Sequence, residues 1–424
     1  MSETLFAYTI TNAGYSQGTA GAINGDRSAT TPAAFTAQKD KITPLNGDPA
    51  VFNFFDTDNQ SRLVLRQYTY STTSLLPNKI INPFAASWVP LIAEQTWNDV
   101  ANLHTVATRG RWLYATGYDL ARIAVVDMLG TTTLPAYGEK NTYQLPTAWP
   151  SISLPVTAQC HGEGLVVVGN NLYALFTVNP DGGYAVYSNS IVVKLSINIL
   201  TGALTYVSHL EVGKNAFTLE LFNNKLYVCA LGGMQNAGSA NADTRLDIID
   251  LATFTKTSVS TIPSIVGDFR DITIRDASNA FIFVGHYDAS FANLVGGIYH
   301  SSVANITSPV TWTKVVNVNS PGYLWGVYAE TNRLWFIKGT PVEIFAPLPV
   351  ALTPSPAKDF SASQMGNFGA DANLNSATIV APNPTAGAGV ELQAAVAKSF
   401  AGHAILAQQA RKAASEAAAG EEKK

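Results

Sequence analysis

Seven side chains in this sequence have both the chemistry for a site and comparable places from which to build one: His104, His161, Glu163, Asn215, Arg270, Asp271 and Trp325. Each stands nine to eleven residues ahead of an apolar doublet that recurs along the chain. If equivalent positions of successive repeats face one axis, these side chains form a ring suited to a protein, small-molecule or glycan ligand. The plainer outcome is that they line a solvated channel mouth and hydrogen-bond one another. His104, His161 and Glu163 also offer the nitrogen and carboxylate donors that a divalent ion takes. His161 and Glu163 are one residue apart, so a regular strand puts them on the same face. His209, His286, His300 and His403 have no comparable company.

Other reactive patterns are incomplete. Gly14-Tyr15-Ser16-Gln17-Gly18 has the spacing of a nucleophile elbow, which needs a strand leading in and a helix leading out. The residues that follow, Thr19 to Asp26, carry no helical pattern. Asp56-Thr57-Asp58-Asn59-Gln60 begins like a calcium loop but lacks its glycine and closing glutamate, and reads as a hairpin turn. H-E-x-x-H, C-x-x-C-H and phosphate-cradling glycine loops do not occur. The seven tryptophans share no repeat position, which argues against a stacked quinone. No catalytic residue, metal or cofactor is assigned.

The elements that would position these residues follow from the doublets: Leu5-Phe6, Leu63-Val64, Leu113-Tyr114, Leu172-Tyr173, Leu226-Tyr227, Phe281-Ile282 and Leu334-Trp335. Their first members are 58, 50, 59, 54, 55 and 53 residues apart. A period of about 40–55 residues filled with short strands signals radial β repeats. In the clearest units a short apolar strand precedes the doublet strand across a turn rich in Asn, Asp and Gly, residues that tolerate left-handed backbone. A third strand follows (Arg122–Asp127, Ile191–Leu195, Arg245–Asp250), then a more polar fourth. The first doublet has no inner strand before it, whereas Ser376–Pro382 is a β-branched run one period beyond the last. The fold expected is an all-β, seven-bladed β-propeller over 1–384, closed by pairing of this C-terminal strand with residues 5–11. Six blades with an irregular first 45 residues is the alternative. Asn12–Pro44 and Gly232–Thr244 read as long loops.

Composition narrows the function. Of 424 residues, 47% are hydrophobic and only 13% charged, about half the usual share. The surface must therefore be dressed with Asn, Ser, Thr, Tyr and Gly, as in exported proteins. A net charge of −4 provides no basic field for nucleic acid. No apolar run reaches the ~20 residues of a membrane span. Cys160 and Cys229 are too few for a disulfide framework, although a single bridge between neighbouring repeats is conceivable. The first residues lack the features of a leader, so either a leader is missing from this chain or the protein is cytoplasmic; the low charge favours export. After Pro384 the chain becomes Ala-rich. Leu392, Val396, Phe400 and Ala404 fall at helical spacing and Gly420 is placed to stop a helix, so 385–424 is expected to be a helical tail that covers the propeller or docks another subunit.

The third strands ending Val-Val-Asp127 and Ile-Ile-Asp250 before a turn resemble the YVTN-type β-propeller repeats of surface-layer and periplasmic proteins. That resemblance implies a binding or scaffold module. The function expected is thus a non-catalytic, exported propeller serving binding or surface assembly, with self-assembly through the tail helix. The alternatives are a metal-dependent hydrolase or lyase at the central channel mouth and a cytoplasmic interaction scaffold.

Overall fold

Every recurring doublet falls on the second strand of a small antiparallel sheet. The structure, a computed structural model, describes residues 5–12, 17–24, 43–68, 75–100, 102–118, 120–145, 159–180, 186–260, 267–308, 311–320, 325–330, 333–338, 342–345, 358–360 and 373–380. The first sheet is ordered β27-β1-β2-β3, with β1 at Leu5–Thr11, β2 at Gln17–Asn24, β3 at Thr43–Asn46 and β27 at Asn373–Val380. Next come β4 (Ala50–Phe55), β5 (Ser61–Arg66) and β6 (Lys79–Ile81) in a three-stranded sheet. Four-stranded meanders follow. The first is β7 (Leu103–Arg109), β8 (Trp112–Gly117), β9 (Arg122–Asp127) and β10 (Gly138–Gln144). The second is β11 (Gln159–Val168), β12 (Asn171–Asn179), β13 (Asn189–Ile197) and β14 (Leu204–Lys214). The third is β15 (Ala216–Phe222), β16 (Lys225–Ala230), β17 (Arg245–Asp250) and β18 (Thr255–Ser260). Then come β19 (Asp268–Asp276), β20 (Asn279–Tyr287), β21 (Leu294–Ser301) and β22 (Thr313–Ser320). The last is β23 (Trp325–Ala329), β24 (Leu334–Lys338), β25 (Val342–Phe345) and β26 (Lys358–Phe360).

The apolar cores lie between sheets, not within them, which makes the arrangement radial. Trp112 and Tyr114 of β8 pack with Leu172 and Phe176 of β12 in one core, and Phe283 of β20 packs with Phe336 of β24 in another. Phe6 of β1 stacks on Trp335 of β24 with ring centroids 5.5 Å apart, joining the first sheet to the last. Second strands are mostly apolar because each is buried between neighbours on both faces. The innermost strands run side by side in one direction. Asp271 Oδ2 accepts from Val327 N at 2.8 Å and Thr273 Oγ1 from Ala329 N at 3.2 Å, so β19 and β23 advance in step. This is a β-propeller.

Ring closure follows the expected pairing: β27 lies antiparallel to β1, with Ile379 opposite Phe6 and Ala377 opposite Tyr8. The number of complete blades does not. Among the described residues six sheets have four strands, not seven, and the sheet around Leu63-Val64 stops at three. Beyond β6 the chain returns only as isolated bridges, Asn78 to Gln95 and Ile81 to Pro90. Pro90 has no N–H to continue a ladder, and Trp88 is buried beneath this return with its indole donating to Pro83 O at 3.2 Å. The stretch Asn12–Pro44 is also more than a loop, since it contains β2. Its Gly-Thr-Ala-Gly-Ala texture has weak strand propensity, but packing demands it: a Cβ on Gly21 would meet the Tyr8 hydroxyl at 2.5 Å. The tail helix expected over 385–424 lies outside the described residues.

Two faces of the ring result. Inner strands begin, and second and third strands connect, on what we term the loop face. The tight turns between inner and second strands, at Gly110, Gly169 and Asn223-Asn224, lie on the opposite hairpin face, where their positive φ values of 58°, 59°, 47° and 59° suit Gly and Asn.

Candidate functional site

All seven candidate residues belong to the loop face, at or near the starts of inner strands. Five of them, His104, His161, Asn215, Arg270 and Asp271, are buried. The structure places six of the seven in two clusters and two structural posts.

The first cluster lies between β7 and β11. His104 Nε2 is 3.0 Å from Glu163 Oε2, and Thr177 Oγ1 donates to Glu163 Oε1 at 3.3 Å. Tyr118, at the end of β8, sits between the two imidazoles, stacked on His161 at 4.1 Å and tilted against His104 at 5.1 Å. His161 Nδ1 donates to the Tyr118 carbonyl, so the ring is turned toward the backbone. His161 and Glu163 do not share a regular strand face as expected, because the pairing of β11 with β12 skips Glu163 as a bulge between Gly162 and Gly164. Both glycines are required by neighbours. A Cβ on Gly162 would lie 2.3 Å from Thr116 of the preceding blade, and one on Gly164 would lie 2.8 Å from Leu219 of the next. Among the described residues no group of three His, Cys, Asp or Glu side chains is gathered to hold a metal ion. Among the described residues His104 Nδ1 is buried without a hydrogen-bond partner.

The second cluster lies between the β15–β18 and β19–β22 blades. Arg270 is the bulge residue of β19, skipped between Phe269 and Asp271. Its Nε donates to Gly285 O at 2.6 Å and its Nη2 to Gln235 Oε1 at 2.7 Å, with the guanidinium 5.3 Å from the Tyr287 ring. Asp268 accepts from Asn241 N at 2.6 Å and lies 4.0 Å from Arg270. Burial pushes the Asp268 carboxyl up to about 6, with the Arg270 charge and the Asn241 donors pulling the other way. Gln235 and Asn241 belong to the Gly232–Thr244 loop, and Gly238 N donates to Tyr287 O at 2.9 Å. That loop is therefore tied down across the neighbouring blade, while Asn236 to Ser239 remain exposed.

Two further candidates are posts. Asp271 Oδ1 accepts from Thr218 Oγ1 at 3.2 Å and its Oδ2 from Val327 N, bridging three consecutive blades. Asn215 is the single left-handed residue, φ 52°, that turns β14 directly into β15, and its Nδ2 donates to Gly233 O at 2.8 Å. Trp325 opens β23 opposite Lys338; its side chain lies outside the described residues.

A regularity not visible in the letters explains why polar residues recur here. The inner strand of a blade has one edge with no ladder partner, and its N–H groups must still be satisfied. Side chains of the preceding blade do so: Ser376 for Val51 N at 3.1 Å, Glu220 for Ile274 N at 3.1 Å, Asp271 for Val327 N. Bulges recur at one level, at Asn375, His104, Glu163, Phe217 and Arg270. Ser376, Glu220, Asp268 and Tyr118 carry no mark except a polar group inside or beside an apolar run.

Asp127 and Asp250, which ended the third strands, cap the turns after them. Asp127 Oδ1 accepts from Leu129 N at 3.1 Å and Asp250 Oδ1 from Ala252 N at 2.9 Å. Cys160 and Cys229 are buried thiols not joined in a disulfide, and burial pushes the Cys160 thiol up to about 12. Asp56 accepts from Asp58 N and Gln60 N at 2.9 Å each, the hairpin turn expected there. The G-x-S-x-G pattern connects β1 to β2, strand to strand, and Gly14 to Ser16 lie outside the described residues.

No protein-family model and no curated protein matches this chain. Solved structures share its fold. A candidate 6-phosphogluconolactonase from Bacteroides uniformis is 10% identical with a TM-score of 0.52, over 88% of this chain and 99% of that one. A protein from Lactobacillus plantarum is 12% identical with a TM-score of 0.51, over 85% and 97%. At such identities the likeness is one of fold.

Proposed function

We propose that this protein is a non-catalytic propeller that binds a protein, small-molecule or glycan ligand on its loop face, within a surface or envelope assembly. The observation that carries the reading is the Gly232–Thr244 loop. Its exposed crest, Asn236 to Ser239, is held from beneath by Gln235 on Arg270 and by Asn241 on Asp268. A long polar loop fixed by buried charges has already lost the freedom that binding would otherwise remove, which is how loops on rigid scaffolds recognise ligands. Arg270 and Asp268 thereby support the binding surface and need not touch the ligand. The resemblance to YVTN-type repeats, carried by the turn-capping Asp127 and Asp250, supports the same class of role. The low charged fraction supports export. No helix among the described residues is long and apolar enough to cross a membrane.

A second reading, hydrolysis at the loop face, draws on the His104–Glu163 pair and on the likeness to the candidate 6-phosphogluconolactonase from Bacteroides uniformis. Both are tested together. The full chain is screened by thermal shift against a library of soluble glycans, and in parallel assayed on 6-phosphogluconolactone with and without added divalent metal. The expected result is a glycan that raises Tm, an effect lost in Asn236→Ala, with no turnover above background. Turnover that disappears in Glu163→Gln would replace the binding reading with the enzymatic one.

A further inference from the structure

The described chain ends at Val380, and the register of β27 fixes where the remaining 44 residues set out. Asn373 pairs with Thr11 and Val380 with Leu5, so Val380 stands at the hairpin-face end of its strand, away from the loop-face clusters. On the hairpin-face side, five large apolar side chains are exposed on two adjacent blades. Leu129 follows β9, Ile199 and Leu200 form the turn between β13 and β14, and Tyr206 and Val207 begin β14. Leu200 is the most open of them, 82% exposed.

Leu129 and the Ile199–Leu200 turn share one neighbourhood because two turns are pinned around a single indole, and Tyr206 and Val207 follow on the strand that leaves the second turn. Trp112 Nε1 donates to Ile199 O at 2.8 Å, and its ring fills the space where a Cβ on Gly202 would fall. The Arg111 guanidinium lies over that ring at 4.9 Å and donates to Gly130 O at 3.1 Å, next to Leu129. Lys140 covers the ring at 4.4 Å and holds Thr201 O at 3.1 Å. A rigid apolar ledge results, and the bulge at Val207, skipped between Tyr206 and Ser208, keeps it from continuing as a plain strand edge.

We propose that this ledge is the docking site of the chain's own C-terminal segment, with Leu392, Val396 and Phe400 laid as a helical stripe across Leu200, Ile199 and Val207. The three tail residues recur every four positions, the spacing of one helix face. The stretch from Val380 to Leu392 is 12 residues, enough at ~3.3 Å each to cover about 40 Å, against a radius of gyration near ~20 Å for a domain of this size. Tethering on the same face favours the chain's own tail over a second copy, because a short linker holds it at an effective concentration of about millimolar. The proposal concerns the hairpin face and is independent of what the loop face binds.

Hydrogen exchange on the full chain tests it, with sedimentation run on the same samples. In Leu200→Asp, amides of 390–404 should exchange about tenfold faster or more than in the parent, and in Phe400→Asp those of 199–207 should do so, with the rest of the propeller unchanged and all samples monomeric. Leu200→Met, which keeps an apolar side chain, should behave as the parent. Absence of coupling between the two segments would overturn the proposal. So would coupling confined to a dimer, which would assign the ledge to a second copy.

Discussion

At the scale of single residues, Asp271 shows how a side chain with catalytic looks serves the scaffold. Its two oxygens hold Thr218 on one side and the Val327 amide on the other, in full burial. Removing the carboxylate takes an acceptor from two buried amides, Val327 N and Ile272 N, each worth about 1–3 kcal/mol, while the Thr218 hydroxyl keeps Arg270 O at 3.3 Å. Asp271→Ala should therefore lower stability by about 2–4 kcal/mol, and Asp271→Asn, which keeps one acceptor, by roughly half as much. Urea titration checks this: the midpoint should fall while the slope stays constant, as it does when stability alone changes. A midpoint unchanged in the alanine variant would mean the bridge contributes nothing. Positions such as Asp271 and His104 were legible as unusual because charge and imidazole interrupt apolar strands. Their partners were not, because Val327 and Tyr118 contribute backbone or a ring that no sequence pattern marks.

At the scale of elements, the strands were largely readable and the bulges were not. Apolar doublets, Asn/Gly turns and the closing Asp residues locate second strands, hairpins and third strands, since those follow from burial and local backbone preference. A bulge is set by register against a neighbour, so nothing local announces Glu163 or Arg270. The same limit hid β2, whose small residues answer to Tyr8 across the sheet. The loop–blade latch around Asp268 carries a pH signature. Burial raises its folded pKa to about 6 from an ordinary 3.8, so the folded form binds its proton more tightly than the unfolded chain. Its share of stability is complete below pH 3.8 and is lost as pH rises through about 6, on the order of 3 kcal/mol at most. Asp268→Asn should flatten the fall in Tm between about pH 4 and 6.5 relative to the parent, as measured by calorimetry. An identical pH slope in both proteins would remove Asp268 from the account.

At the scale of the molecule, stability is shared among interfaces between blades, and the seam between β1 and β27 is set by the longest-range contacts among the described residues. Ile379 is buried opposite Phe6, which itself stacks on Trp335. Ile379→Lys buries an unpaired ammonium in that seam and should cost at least about 3 kcal/mol. If closure holds the ring as one unit, calorimetry should show a single transition displaced to lower temperature; a separate early transition confined to the first sheet would show that the other blades stand without it. Thr11 of β1 and Asn375 of β27 are hydrogen-bonded across 364 residues of chain. A ribosome working at roughly 5–20 residues per second would leave β1 without that partner for about 20–70 s. During that interval Leu5–Thr11 is paired with β2 on one side only and its other edge lies open, so newborn chains should depend on a chaperone or a waiting partner far more than the finished ring does.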